Sequence, residues 1–177
     1  QVVWMDLVDG TPTVSLPSPN AAAYQLETRL ANVLRTLKGR YPNLRMVFVS
    51  SRFYAGYATG TFSPEPYAYE TGFATKWLIQ AQIDQMANGG AVVDARAGDL
   101  NHQTGVAPWI AWAPYLWANG ETSRASDGLS WSVADYAPHD LMHPGRGAQG
   151  KYGLMLLHFF ASSPFTNCWF MASGECR

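Results

Sequence analysis

The amino-acid sequence predicts an α/β fold with a parallel sheet. Two buried strands, over residues 1–8 and 45–50, flank a helix within the first 50 residues. A strand–helix–strand unit of this length favours a right-handed parallel crossover. A second helix, a third strand and a last helix follow in alternation, which is the pattern of α/β proteins. All 177 residues are expected to form one domain.

Hydrophobic periodicity predicts each element in turn. The first strand is a near-continuous apolar run, which is typical of a strand buried on both faces. In the first helix, about 20–38, Leu26, Leu30, Leu34 and Leu37 recur at three- and four-residue steps. The same reasoning predicts a second helix over about 71–88, a third strand over 106–112 and a last helix over about 146–161.

The composition excludes several classes of protein. Hydrophobic residues make up 47% of the chain and charged residues 14%, so the chain can bury a core. A net charge of -1 without a Lys/Arg cluster argues against a nucleic-acid or anionic-membrane surface. The apolar run from Leu154 to Phe160 is interrupted by His158 and is too short to span a bilayer. No nucleotide-binding fingerprint occurs, and no cofactor is predicted.

Two cysteines, Cys168 and Cys176, lie in the C-terminal tail, residues 162–177. We expect a disulfide between them, which would close a short loop and contribute about 2–3 kcal/mol on the chain-entropy model. Two free thiols are the alternative, since no CxxC spacing is present. The disulfide predicts an extracytoplasmic location, secreted or periplasmic.

Two long loops, 51–70 and 113–140, are expected to follow strand ends at one edge of the sheet, where sites in open α/β folds lie. They carry polar and aromatic side chains suited to a polar, sugar-sized pocket. The alternative is that these aromatic residues only attach the loops to the sheet. The pocket candidates are Arg52, Tyr54, Glu65, Tyr67, Glu70 and Trp117.

A D-x-x-H motif, Asp140 and His143, precedes the last helix. A histidine can take a proton from a nucleophile while a carboxylate orients its ring and stabilises the imidazolium. The alternative is a surface histidine beside a helix-capping aspartate, with His139 as a neighbour. His102 and His158 lack ligand spacing, so no metal site is predicted.

Several sequence blocks resemble the SGNH/GDSL-type hydrolases. DGLSW (127–131), HDLMHP (139–144) and a G-x-x-G-K block (147–151) occur in the order of that superfamily's C-terminal part. Upstream, FVSSRFYAGYAT, PEPYAYETGFATKWLI and PYLWANG look like a bacterial SGNH-like branch. The resemblance extends from residue 1 to about residue 161.

The resemblance implies a three-layer α/β/α fold and hydrolysis of carboxylic esters, with carbohydrate O-acyl esters as one substrate class. Asp140 would orient His143, and His143 would be the general base. The family's nucleophilic serine follows its first strand, but no G-D-S-L-like block occurs here. The chain therefore resembles the C-terminal portion, with the serine outside it. Ser50 and Ser51 are weak alternatives, because strand-end serines usually bind local backbone groups.

The apolar strand between Val2 and Val8 is expected to need a partner, because an open strand edge invites pairing. A second polypeptide that carries the serine, or a copy of this chain, would cover it. An alternative function is a non-catalytic assembly or binding module that pairs by strand addition. In that case Asp140 and His143 are relics of a hydrolase.

Overall fold

The computed structural model describes residues 1–173 of the chain. The chain divides into two compact units, one from Gln1 to Trp117 and one that begins at Ala118. The expectation of a single domain stays a prediction. Within residues 1–173, no helix is both long and apolar enough to cross a bilayer.

The first unit contains a three-stranded parallel sheet in the order β1-β2-β3. The strands are β1 (Val2–Met5), β2 (Met46–Val49) and β3 (Trp109–Trp112). This confirms the α/β class and the parallel crossover. The strands are shorter than predicted, and β1 ends before the polar side chain of Asp6. Strand β1 lies at an edge of the sheet, as the sequence predicts.

Two long helices, α1 (Ala22–Arg40) and α2 (Tyr67–Ala87), pack against each other in this unit. Helix α2 begins four residues before the predicted start, so the end of the predicted loop is helical. Helix α1 ends at Arg40, because Pro42 disfavours the helical conformation of the residue before it. The buried core joins side chains from both helices and all three strands, among them Leu26, Leu30, Leu34, Leu78, Met5, Val47, Val49 and Ile110.

Buried glutamines join α2 to the segment that leads into β3. Gln82 Nε2 donates to the carbonyl oxygens of Leu100 at 2.8 Å and Pro108 at 2.9 Å. Gln82 Oε1 accepts the backbone N–H of Ile110 at 2.8 Å. One turn later, Gln85 Oε1 accepts the N–H of Leu100 at 2.8 Å. These amides satisfy backbone groups that the short β3 leaves unpaired, so they set where β3 lies along α2.

Replacing Gln82 by leucine is expected to destabilise the protein by about 3 kcal/mol. The substitution leaves two buried carbonyls and one buried N–H without their partner, and each orphaned group carries a desolvation penalty. Urea denaturation of the Q82L variant measures the loss. Gln80→Leu on the exposed face of α2 is the matched control. An equal midpoint for the two variants would contradict the assignment.

The second unit contains a short 3₁₀ helix (Val133–Asp135), α3 (Arg146–Ser162) and α4 (Asn167–Phe170). The predicted last helix is confirmed as α3, within one residue. Ala148 is the one buried residue of α3, whereas Leu154 is 69% exposed and Leu157 is also exposed. Cys176 lies outside the described residues, so the Cys168–Cys176 disulfide stays a prediction.

Candidate functional site

The D-x-x-H pair lies in the second unit, on a loop between the 3₁₀ helix and α3 that we call the dyad loop (residues 136–145). His143 Nδ1 contacts Asp140 Oδ2. Asp140 Oδ1 accepts the backbone N–H groups of Met142 at 3.0 Å and His143 at 3.1 Å. The hydrogen bond from His143, aided by these N–H groups, holds the pKa of Asp140 well below its usual range. An ionised Asp140 therefore faces the ring of His143.

The backbone of the dyad loop closes on itself and brings these two side chains together. Ala137 N–H donates to the carbonyl of His143 at 2.8 Å, and Leu141 N–H donates to the carbonyl of Ala137 at 2.9 Å. Leu141 has a φ of 50°, a conformation that is uncommon for residues other than glycine. The left-handed residue lies between Asp140 and His143. Strained residues of this kind cluster at functional sites.

A buried aspartate that the sequence analysis did not single out supports the dyad loop. Asp135 Oδ2 accepts Lys151 Nζ at 2.6 Å and the backbone N–H of Ser132 at 2.8 Å. The Asp135 carbonyl accepts the N–H of Gly145 at 2.8 Å. A Cβ at Gly147 would lie 2.6 Å from Asp135 Oδ1. Gly147 and Lys151 of the G-x-x-G-K block thus have a structural role here, since both lie against Asp135.

His139 also reaches the carboxylate of Asp140. Its Nε2 lies 3.2 Å from Asp140 Oδ2. The rings of His139 and His143 are near-parallel, with centroids 6.1 Å apart and an interplanar angle of 19°. Their side chains are 71% and 65% exposed, and that of Asp140 is 21% exposed. The loop therefore presents two accessible imidazoles around one carboxylate, which the sequence analysis did not expect.

Three of the predicted pocket residues, Tyr54, Glu65 and Trp117, meet in the first unit. Glu65 Oε1 accepts the backbone N–H of Ala55 at 3.0 Å and Trp117 Nε1–H at 2.9 Å. Glu65 Oε2 accepts the N–H of Tyr69 at 3.1 Å. The Tyr54 and Trp117 rings lie 6.4 Å apart, edge to face. Glu65 acts here as an anchor for two loops and the start of α2.

Glu65→Gln is expected to destabilise the protein by about 2 kcal/mol, despite its similar shape. Both carboxylate oxygens accept N–H groups, and an amide would turn an N–H₂ group toward one set of donors. For a chain of this size, the melting temperature should fall by roughly 4–8 °C. The exposed Glu121→Gln is the control. An unchanged melting temperature for E65Q would contradict the anchoring role.

Of the other pocket candidates of the first unit, Arg52 and Glu70 are buried and Tyr67 is half-buried. Arg52 is buried, with its guanidinium carbon 5.1 Å from the ring centroid of Phe53. Glu70 Oε1 accepts the N–H of Leu16 at 2.8 Å, and burial raises the pKa of Glu70. Tyr67 and Glu70 line a cavity of about 10 Å³, which has room for a water molecule but not for a sugar.

The two strand-end serines make structural hydrogen bonds. Ser50 Oγ accepts Trp4 Nε1–H at 2.9 Å, and Ser51 Oγ accepts the backbone N–H of Leu116 at 3.0 Å. Both residues are buried, with 1% and 0% exposure. These contacts favour the structural interpretation, since a buried hydroxyl cannot meet a substrate without rearrangement. A role as nucleophile stays a weak prediction.

Asp6, directly after β1, is a half-buried residue with a buried carboxyl oxygen, and no prediction from the sequence included it. Its Oδ1 is buried and has no hydrogen-bond partner among the described residues. Burial raises the pKa of Asp6 to about 7, although the positive charge of Arg52 opposes the shift. No sequence signal distinguishes it, because its burial depends on segments distant in the chain.

A larger aromatic cleft lies beside β3 and α2. It has a volume of about 190 Å³ and is lined by Tyr69, Gly72, Phe73, Lys76, Trp112 and Tyr115. A Cβ on Gly72 would lie 2.9 Å from the Tyr115 ring, so a glycine lets the ring approach α2. No pattern in the sequence indicates that these residues meet, because they come from a helix, a strand and a loop.

In comparisons with known proteins, no family model, no curated protein and no solved structure matches the chain. The resemblance to SGNH hydrolases therefore stays an expectation from the sequence blocks. The candidate chemistry depends on Asp140, His143 and the loop that holds them.

Proposed function

We propose that this chain belongs to a serine esterase of the SGNH type and supplies its Asp/His pair. The observation that carries the proposal is the contact between His143 Nδ1 and Asp140 Oδ2 on an exposed loop. The nucleophilic serine lies outside this chain, on a second polypeptide that also covers β1. The three-layer α/β/α arrangement of that family is part of the proposal.

In this mechanism each side chain has one task. Asp140 accepts a hydrogen bond from the N–H at His143 Nδ1, which leaves Nε2 unprotonated and able to accept a proton. Nε2 takes the proton of the serine hydroxyl as the oxygen attacks the ester carbonyl. The imidazolium, stabilised by Asp140, then donates that proton to the leaving alcohol, and an acyl-enzyme remains. A water molecule, activated by Nε2 in the same way, releases the acid and restores the serine.

A purely structural role explains the pair less well. An exposed ion pair contributes only about 0–1 kcal/mol to stability, and His143 is mostly exposed. Yet the loop places Leu141 in a left-handed conformation between the two side chains. The loop thus keeps a strained residue although the ion pair contributes little to stability. This combination favours a functional role for the pair.

Ring-shaped ester substrates, such as O-acylated carbohydrates, are the substrate class we favour. The support is the family resemblance, and the first unit by itself contains a cleft lined by aromatic residues that suits the binding of a sugar ring. Sugars bind well to aromatic ring faces because their C–H groups are apolar while their hydroxyls reach polar neighbours.

One observation favours the second candidate function, a non-catalytic assembly module. Within the sheet of the described residues, β1 pairs only with β2 and leaves its other edge open. Such an edge can add a strand from a copy of the chain. In this case Asp140 and His143 would have no catalytic task.

A fluorophosphonate probe separates these proposals. The chain is purified together with every polypeptide that co-purifies with it, and this preparation is called the native particle. The native particle is treated with the probe, and the intact mass of every chain present is measured. The split esterase predicts the label on a second polypeptide, together with hydrolysis of a chromogenic acetate ester. A label on this chain would instead point to Ser50 or Ser51. An unlabelled particle that contains only copies of this chain would contradict the esterase and support the assembly module.

A further inference from the structure

We propose that His139, Asp140 and His143 form a binding site for a divalent transition-metal ion such as Zn²⁺, and that the bound ion inactivates the Asp/His pair. Metal binding by these residues stands independently of the proposed esterase function. The inactivation rests on that function.

The positions of the ligand atoms carry the proposal. One nitrogen from each imidazole and one oxygen of Asp140 all lie within 4.8 Å of one another. His139 Nε2 lies 3.2 Å from Asp140 Oδ2, and His143 Nδ1 contacts the same oxygen. Zinc bonds of about 2.0–2.2 Å in a tetrahedral arrangement place neighbouring ligand atoms about 3.3 Å apart. The site therefore needs only small side-chain rotations to surround an ion.

The chemistry of the three ligands selects the kind of ion. Two imidazoles suit zinc, copper and nickel, whereas magnesium and calcium prefer sites made only of oxygens. The ionised Asp140 supplies a negative charge that favours a cation. Both rings are mostly exposed, so an ion can enter from solvent and keep water as its fourth ligand.

A bound ion and the catalytic hydrogen bond compete for the same nitrogen. In the catalytic state, the neutral ring of His143 carries its single proton on Nδ1, toward Asp140. An ion on Nδ1 requires the tautomer whose proton is on Nε2, so no proton is gained or lost overall. Nε2 then cannot accept a proton from a serine. Asp140 becomes a ligand of the ion and no longer accepts the hydrogen bond from His143. The pair is inactive while the ion is bound.

Calorimetry with ZnCl₂ on the chelator-treated chain tests the binding site. We expect one ion per chain, and we expect His139→Ala to weaken the affinity at least about 10-fold, because one of three protein ligands is lost. His102→Ala is the matched control and should bind as the wild type does. His139 is exposed, so its removal should leave the circular dichroism spectrum unchanged. Equal affinities for H139A and the wild type would overturn the site.

Ester hydrolysis by the native particle tests the inactivation. Zn²⁺ should inhibit hydrolysis and EDTA should restore it, with each variant compared with its own metal-free rate. The H139A particle should need at least about 10-fold more Zn²⁺ for half-inhibition. Zinc binding without inhibition would overturn the inactivation step. A metal-free particle without hydrolysis would overturn the esterase function instead, and calorimetry would still decide the metal site.

Discussion

His143→Ala is expected to lower ester hydrolysis by the native particle at least about 10⁴-fold. Without the imidazole, no group accepts the serine proton or returns it to the leaving alcohol. The rate constant for a chromogenic acetate ester and the rate of fluorophosphonate labelling should fall together, since both require an activated serine. His158→Ala, on α3, is the matched control and should keep the wild-type rate.

Asp140→Asn should give a loss of similar size, about 10⁴-fold, for a different reason. The amide offers an N–H₂ group to His143 and favours the tautomer with its proton on the wrong nitrogen. The side chain of His143 is mostly exposed, so the H143A variant should keep the wild-type fold, which circular dichroism measures. Hydrolysis that survives both substitutions in a folded particle would contradict the catalytic role of the pair.

Asp6→Asn is expected to stabilise the protein by about 2–4 kcal/mol above pH 7. The carboxyl pKa is about 7 in the folded protein and near 3.8 when unfolded. Between about pH 4 and pH 7 the folded protein keeps a proton that the unfolded chain has lost. The free energy of unfolding of the wild type therefore falls as pH rises through this window, and stays low above it. Asparagine removes this loss, because it carries no proton to release.

Urea unfolding at several pH values between 4 and 8.5 measures this effect. The wild type and D6N should be nearly equal at pH 4 and differ most above pH 7. Asp84→Asn, at an exposed position of α2, is the control and should follow the wild-type pH dependence. A D6N variant that loses stability between pH 4 and pH 7 as steeply as the wild type would contradict the buried, protonated carboxyl.

Local patterns explain which parts of the fold were predictable. The leucines of α1 recur at helical spacing, and β2 is a short apolar run of the kind that is typical of a strand buried on both faces. The boundaries were less predictable because they depend on neighbours elsewhere. Helix α2 begins at Tyr67, where Glu65 Oε2 accepts the N–H of Tyr69. The periodicity of that segment does not indicate that Glu65 would accept this N–H group. It also does not indicate that Glu65 would accept the indole N–H of Trp117.

The same distinction applies to the candidate site. The contact between Asp140 and His143 could be predicted from sequence because a three-residue step on a loop brings two side chains to one point. Three other features could not be predicted from the sequence. They are the approach of His139 to the same carboxylate, the support of the loop by Asp135 and Lys151, and the buried carboxyl oxygen of Asp6.

The α/β class, the order of the helices and strands, and the Asp140–His143 pair could be read from local patterns, since these features depend on residues close together in the chain. Three other features became visible only in the folded chain: Glu65 anchors backbone groups, Ser50 and Ser51 are buried acceptors, and two imidazoles share one carboxylate. Burial and hydrogen-bond partners are properties of segments that meet in space, and a linear pattern does not contain them.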